Sequence, residues 1–369
     1  MTGARGRHSY VGLANPSRAV SNLPLLAAAG LIFAFGLGAL HSIDFARGTT
    51  FAPRQAVFAA IGVPLVLLAS KISPSRWLAL SNWLYGLNLL QLASVFLIGR
   101  KTNEATRWID IGPLQYQPSE VTKVLVILTL AAFHVKNAER GSPGSVFLRS
   151  LLHVAPFVGL VLLQPHLAGA VSLLVIWLAM SLAAGLPWRT ILLAVVLALG
   201  MGAAAWYTPG VIKPYMRDRI ESKLNPDSKA GAYQQTQALI AIGVGGINGT
   251  GYLRGERKAA RFIPEQQNDF IFTVIGEEGG LVAGLLLLSA FGWFFYRVWE
   301  VGQRSADVWA RGVSNGVLAV LGFHVFVNLG MNLGVLPVAG LWLPFVSYGG
   351  TALWMAMACL GILLGSERG

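Results

Sequence analysis

The chain has 369 residues, of which 54% are hydrophobic and 12% charged, with a mean hydropathy of +0.60. Soluble proteins carry about 25% charged residues, so a soluble enzyme is excluded, and so is disorder, which needs low hydrophobicity and high charge. One cysteine, Cys359, excludes a disulfide framework and a cysteine-based metal site, while the net charge of +12 matters through its placement.

A helix that crosses the hydrocarbon needs about 20 mostly apolar residues. Ten such windows follow one another: 22–41, 55–70, 76–99, 119–135, 148–163, 167–185, 189–207, 268–296, 309–334 and 343–365. Prolines 53, 74, 118, 143, 165, 187, 209 and 344 lie close to their ends, where a missing N–H costs least. The first window is longer than the apolar stretch of a signal peptide and is followed by further spans, so it is expected to stay uncleaved. The predicted fold is all-α: a single polytopic membrane domain over residues 1–369. It carries one large extracytoplasmic loop, 208–267, between spans seven and eight.

Lys and Arg in short loops favour the cytoplasmic side. With the N-terminus inside, the inside segments hold thirteen of them and the short outside loops five: Arg47, Arg54, Arg100, Lys101 and Arg107. Both termini are therefore expected on the cytoplasmic side. The basic balance is then a topology signal, and no nucleic-acid partner is needed to explain it.

Four polar clusters fall on the outer face under that topology: 100–120 (RKTNEATRWIDIGPLQYQPSE), 164–166 (QPH), 264–269 (PEQQND) and 344–351 (PFVSYGGT). A transporter site is expected near the midplane on broken helices, so convergence at one rim favours chemistry on something delivered to that surface. Inside the spans, Glu120 and Lys123 share a helix face and can pair with each other. Glu277 and Glu278 lie about 12–14 Å along the helix from Asp269, and Lys123 is the candidate partner for one of them. They read as architecture, because a buried charge mostly needs neutralising.

Asp269 starts a span from a polar loop, and two readings stand there. Asn268 or Asp269 could cap the helix, or a partly desolvated Asp269 could act as a general base. Glu265 is a second carboxylate able to orient substrate or join a metal site. The long loop adds nine cations, Lys213 to Arg261, which suit phosphate oxygens or rest as a solvated surface on anionic headgroups. Trp108 reads equally as an interfacial anchor, and Ser347, Tyr348, Gly349 and Gly350 allow close backbone approach or helix packing. The glycines of 242–255 lack the strand and lysine-serine pair of a nucleotide loop.

Together these strings resemble one family. RWIDIGPLQYQPSEVTK (107–123), QPHL (164–167), QALIAIGVGGINGTGYLRG (237–255), FIPEQQNDFIFTVIGEEGG (262–280) and GVLPVAGLWLPFVSYGGT (334–351) are similar to the SEDS proteins, RodA and FtsW, of bacterial wall synthesis. NLGMNLGVLPVAG (328–340), GYLRG and ARFIPE look closer to RodA. The resemblance implies a ten-span glycosyltransferase that polymerises lipid II, a polyprenyl pyrophosphate-linked disaccharide peptide, during cell elongation. It also implies a class B penicillin-binding protein transpeptidase as partner.

By the same resemblance Asp269 is the essential carboxylate. The implied substrate-binding set is Arg107, Trp108, Lys101, Gln117, Ser119, Glu120, Lys123, Gln164, Glu265, Ser347, Tyr348, Gly349 and Gly350. The chain departs from the family at His166, where an acid is usual, and at Gln267 and Asn268, where His-Thr is usual. The expected reaction is inverting glycosyl transfer with Asp269 as base and Arg107, Lys101 and loop cations meeting the pyrophosphate charge. No cofactor is established, and a divalent cation (Mg or Mn) at Asp269 or Glu265 stays open. The alternatives are a lipid II flippase using Lys123, Glu277 and Glu278, a scaffold that activates the partner, and the division-specific FtsW-type polymerase.

Overall fold

The computed structural model describes residues 22–102, 105–112, 114–137, 142–189, 192, 195–196 and 230–366. Spans one to six appear as α1 (Leu23–Arg47), α2 (Phe51–Lys71), α3 (Pro74–Ile98), α4 (Pro118–Asn137), α5 (Pro143–Leu163) and α6 (Leu167–Ala183). The seventh expected window, 189–207, lies outside the described residues apart from single positions. After it come α7 (Ala230–Gly245), the short α8 (Glu256–Ala259), α9 (Ile271–Arg304), α10 (Val308–Asn332) and α11 (Gly350–Ser366). Six of the described helices are long and apolar enough to cross a membrane, and α6 and α11 are shorter apolar helices.

Local chemistry sets several ends. Proline occupies the first turn of α1, α3 and α5, where its missing N–H is an orphan anyway. Gly48 closes α1 in the left-handed region (φ 66°). Asp307 caps α10 by accepting from Trp309 N at 2.8 Å. Asp44, from the end of α1, takes the first N–H groups of α2: Phe51 N at 2.8 Å and Ala52 N at 2.7 Å.

The helices are apolar on both sides, as lipid contact allows. Leu68, Trp83, Leu97, Leu163 and Leu285 face outward while Leu40, Leu92, Ile127, Val317 and Leu363 are buried. The most buried helix is α4, enclosed by α3, α5, α6, α10 and α11, whereas α1 packs on α2 and α9. Residues 100–116, expected only as a loop, form an antiparallel three-stranded sheet in the order β1 (Arg100–Thr102), β2 (Ala105–Ile111), β3 (Leu114–Tyr116). Lys101 faces Thr106 and Asp110 faces Gln115 in its register, and Gly112 (φ 60°) serves the second turn.

Of the expected large loop, 208–267, residues 208–229 lie outside the described residues, and the described part, 230–267, packs against the membrane helices. Along α9, Gly280 leaves the helical region (φ 62°, ψ −161°) and interrupts the ladder. The freed amides of Leu281 and Val282 donate to Gly246 O (2.9 Å) and Ile247 O (3.1 Å), while Thr250 N and Gly251 N donate to Glu277 O (2.9 Å) and Glu278 O (3.0 Å). Irregular backbone at membrane depth survives only when such partners satisfy it. The approach is too close for side chains: a Cβ on Gly249 (φ 77°) would lie 2.1 Å from Glu278 O.

Charge follows the same seam, and it differs from the expected pairing of Lys123 with Glu277 or Glu278. Glu278 accepts from Ser42 Oγ at 2.8 and 2.7 Å and is ion-paired to the fully buried Lys258. Glu277 accepts from Arg257 N at 2.9 Å. Lys123 lies on α4 and is taken by Glu120, because α1 and the 246–258 segment flank Glu278. Lys258 is therefore not one of the solvated phosphate-facing cations expected of the loop.

Two outcomes test this seam. Gly249→Ala combines left-handed strain with a backbone clash and should destabilise the protein by about 2–5 kcal/mol, read as a lowered melting temperature in detergent. Lys258→Met strands the Glu278 carboxylate and should cost about 3–5 kcal/mol, much of it returned by adding Glu278→Gln; a double mutant no more stable than the single one would refute the pairing.

Candidate functional site

All four polar clusters meet at one cavity of about 590 Å³. The first contributes Arg107, Trp108, Ile111, Gln115, Tyr116, Gln117 and Glu120; the second His166; the third Glu265, Asn268 and Asp269; the fourth Tyr348, Gly349, Gly350 and Thr351. Phe51, Arg54 and Phe58 of α2, Gly340 and Trp342 of the 333–349 loop, and Ala352 and Trp354 of α11 complete the wall.

Asp269 is held from several sides. Its carbonyl accepts from Asn328 Nδ2 (2.9 Å) and Asn332 Nδ2 (3.0 Å) of α10, and its amide donates to Glu265 O (3.1 Å). Just before it, Asn268 O accepts from Ser347 Oγ (2.6 Å) and Gln267 O from Tyr348 N (2.9 Å). Phe270, which follows, is buried against Ala238, Ala241 and Ile263. Arg47 reaches from α1 to Gln266 Oε1 (2.5 Å) and to Lys258 O (2.6 Å). The capping reading is not what the structure adopts: the residue before α9 is Phe270, without a side-chain cap, and Asn268 Nδ2 donates to Glu265 Oε2 at 2.7 Å. The carboxylate of Asp269 lies beside Gly340, where an added Cβ would be 3.6 Å from Oδ2.

The opposite wall carries Arg107. Its guanidinium donates to Gln164 O (3.2 Å) and Pro165 O, which binds β2 to the α5–α6 corner and fixes the direction of the charge. His166 follows, with Nδ1 3.3 Å from Ser119 Oγ and its ring over Gly169, where a Cβ would come within 2.6 Å. His166 thus presents an imidazole at the cavity. Tyr116 donates to Gln91 Oε1, and burial pushes its phenol up to about 12, so it stays a donor at working pH.

Beneath the cavity lies a closed polar group. Glu120 Oε1 accepts from Lys123 Nζ (2.7 Å) and Oε2 from Trp342 Nε1 (2.8 Å), while Lys123 Nζ also lies 3.0 Å from His324 Nε2. The expected mutual pairing of Glu120 and Lys123 holds. Two charges so far from water need each other and further hydrogen bonds to persist.

Of the expected binding residues, Arg107, Trp108, Gln117, Glu120, Glu265, Tyr348, Gly349 and Gly350 line the cavity together with Asp269. Ser119, Lys123, Gln164 and Ser347 stand behind it. Ser119 meets His166, Lys123 supports Glu120, Gln164 Nε2 ties α5 to Leu92 O (3.0 Å), and Ser347 Oγ receives Leu343 N (2.7 Å). The side chain of Lys101 lies outside the described residues, as do the loop cations Lys213, Arg217, Arg219, Lys223 and Lys229. Sequence reasoning missed Arg54, Trp342 and the supporting Asn328, Asn332, Arg47 and Gln55. The asparagines carried a signal, since polar residues four apart within an apolar span need partners.

The family model for cell cycle proteins of the FtsW, RodA and SpoVE type matches residues 18–368. The chain is 34% identical over 307 residues to the peptidoglycan glycosyltransferase MrdB of Escherichia coli K12, covering 83% of this chain and 82% of MrdB. It is 33% identical over 356 residues to a probable peptidoglycan glycosyltransferase FtsW of Coxiella burnetii, covering 94% of each. Among solved structures it is similar to Thermus thermophilus RodA, with a TM-score of 0.69 and 31% identity over 93% of this chain and 95% of that one. It is also similar to a chain of a peptidoglycan synthase complex that coordinates polymerization and crosslinking, with a TM-score of 0.79 and 34% identity over 93% and 96% of the two chains. A ten-window apolar pattern, a shared rim cavity around one aspartate and matches over nearly the whole length lead to one conclusion: this chain belongs to the FtsW/RodA/SpoVE family, the SEDS proteins.

Proposed function

We propose that this protein is a peptidoglycan glycosyltransferase that polymerises lipid II into glycan strands at the outer face of the cytoplasmic membrane during cell elongation. Both termini then lie in the cytoplasm. The carrying observation is that four clusters distant in sequence close one cavity around Asp269. The names of the MrdB and FtsW relatives support the activity. The solved synthase complex supports a crosslinking partner, a class B penicillin-binding protein.

In this reading the Asp269 carboxylate takes the proton of the acceptor sugar's hydroxyl as that oxygen attacks the donor's anomeric carbon. The new C–O bond forms while the bond to the pyrophosphate breaks with its electron pair leaving on phosphate, and the centre inverts. Arg107 meets that developing charge. Its fixed orientation is what electrostatic stabilisation of a transition state requires. Asn328 and Asn332 set the backbone that carries the base.

Asp269 and Glu265 are the residues that would hold a divalent cation, and among the described residues no group of three or more His, Cys, Asp or Glu could hold one. Magnesium-like ions commonly take one or two carboxylates and complete their shell with substrate phosphates. When bound, the ion would compensate pyrophosphate charge.

Purified chain with its transpeptidase partner in vesicles containing lipid II provides the test. Asp269→Asn should lower strand synthesis by about 10²–10⁴-fold while melting temperature and partner binding stay at wild-type levels; strands at the normal rate would remove Asp269 from the base role. Lipid translocation without any joining of sugars by the wild type would replace this reading with that of a flippase. Asn328→Leu should reduce kcat by about tenfold with KM unchanged, because a misplaced base loses transition-state contacts and not ground-state binding.

A further inference from the structure

A face of α2 that the proposed mechanism leaves unused points into the same cavity. Phe51, Arg54 and Phe58 follow at spacings of three and four, so they share one side of the helix, and all three line the wall. The two aromatic rings are locked in place. Phe51 and Phe58 pack on Tyr348 with centroids at 4.9 and 6.0 Å, and Phe58 meets Trp354 edge-on at 6.1 Å. Gln55 adds two bonds to the 347–349 backbone, donating to Ser347 O and accepting from Gly349 N, each at 3.0 Å. The helix therefore cannot turn its Arg54 face away.

Arg54 differs from the cavity's other cation. The Arg107 guanidinium is engaged by the Gln164 and Pro165 carbonyls. The Arg54 side chain is exposed, and no hydrogen bond or ion pair is described for its guanidinium. The acid nearest in sequence, Asp44, is already committed, with its two carboxylate oxygens accepting from Phe51 N, Ala52 N and Thr49 Oγ1. That also closes the α2 N-terminus to any anion, so an anion in this part of the cavity would be met by the arginine fork.

Transfer between two lipid-linked sugars must seat two pyrophosphates: one that leaves and one that stays bonded to its sugar. A preorganised cation serves the first, because stabilising a transition state demands dipoles and charges already in place. An uncommitted arginine suits the second, since it gains by binding and contributes equally before and during reaction. Resting on the function proposed above, we propose that Arg54 binds the pyrophosphate of the substrate whose sugar–phosphate bond stays intact. Phe58 and Trp354 give the adjoining apolar wall for the start of its polyprenyl chain. The cavity thus holds two phosphate subsites of unequal role, Arg107 for the leaving group and Arg54 for the retained one.

The test uses the full chain with its transpeptidase partner in phosphatidylcholine nanodiscs. For Arg54→Gln, KM for lipid II should rise about tenfold, the worth of a lost charge-assisted contact, while kcat at saturation stays within about twofold; Arg54→Lys should fall between. Arg107→Gln should instead lower kcat. A direct measurement uses the inactive Asp269→Asn protein and a polyprenyl pyrophosphate: two molecules should bind per chain, and Arg54→Gln should weaken one of them about tenfold.

Unchanged KM and binding, or a fall in kcat equal to that of Arg107→Gln, would overturn the assignment. So would an Arg54→Gln effect that appears only when phosphatidylglycerol is added, because the arginine would then serve phospholipid headgroups. If the wild type makes no strands yet polyprenyl pyrophosphate binding still depends on Arg54, the polymerase reading falls and the phosphate contact stands.

Discussion

Backbone polarity in an apolar slab is the constraint on which the rest depends. A helix crossing lipid can break only where its freed N–H and C=O groups find protein partners. Gly280 breaks α9, and the backbone of 246–251 supplies those partners from a segment that precedes α9 in the chain. Once that seam is closed, Lys258 and Ser42 meet Glu278, Arg47 meets Gln266, and the stretch 260–269 has a short, defined route to the cavity. The position of Asp269 is thus a consequence of hydrogen-bond accounting about ten residues deeper along the same helix.

The cavity is built with separate layers for chemistry and for support. Side chains that face it are carried on a small sheet, the α5–α6 corner, the loop before α9 and the starts of α2 and α11. Behind them stand groups that hold one another: Lys123 with Glu120, Ser119 with His166, and the Nδ2 groups of Asn328 and Asn332 with the Asp269 carbonyl. A buried ion pair is weak evidence for stability. Here it orients Glu120 at the cavity floor, with one carboxylate oxygen on Lys123 and the other on Trp342.

Much of this was readable from the chain. Apolar windows and proline spacing placed the described membrane helices. The polar strings were singled out as four clusters before any contact was known. The RW pair, the PE-x-x-x-DFIF stretch and PFVSYGG all reach the cavity. The partner of Glu278 was not readable. Lys123 was the cation expected at membrane depth and Lys258 was expected in the loop, and only the chain path shows that the loop residue, not α4, lies beside Glu278. Arg54 looked like one more rim charge, because helical periodicity says which residues share a face and not what that face meets.

The sequence by itself determined a many-span membrane protein, its polar rim and the aspartate at its centre. These depend on hydropathy, on charge counting and on motifs contiguous in the chain. Tertiary structure decided which polar residues face the cavity and which brace it, which lysine neutralises which glutamate, and how the α7–α8 segment packs into a broken helix. Those outcomes turn on contacts between residues far apart in sequence, such as Ser42 with Glu278 and Gln55 with Gly349. No local pattern encodes such pairs, because each side chain's partner is set by the path of the whole backbone.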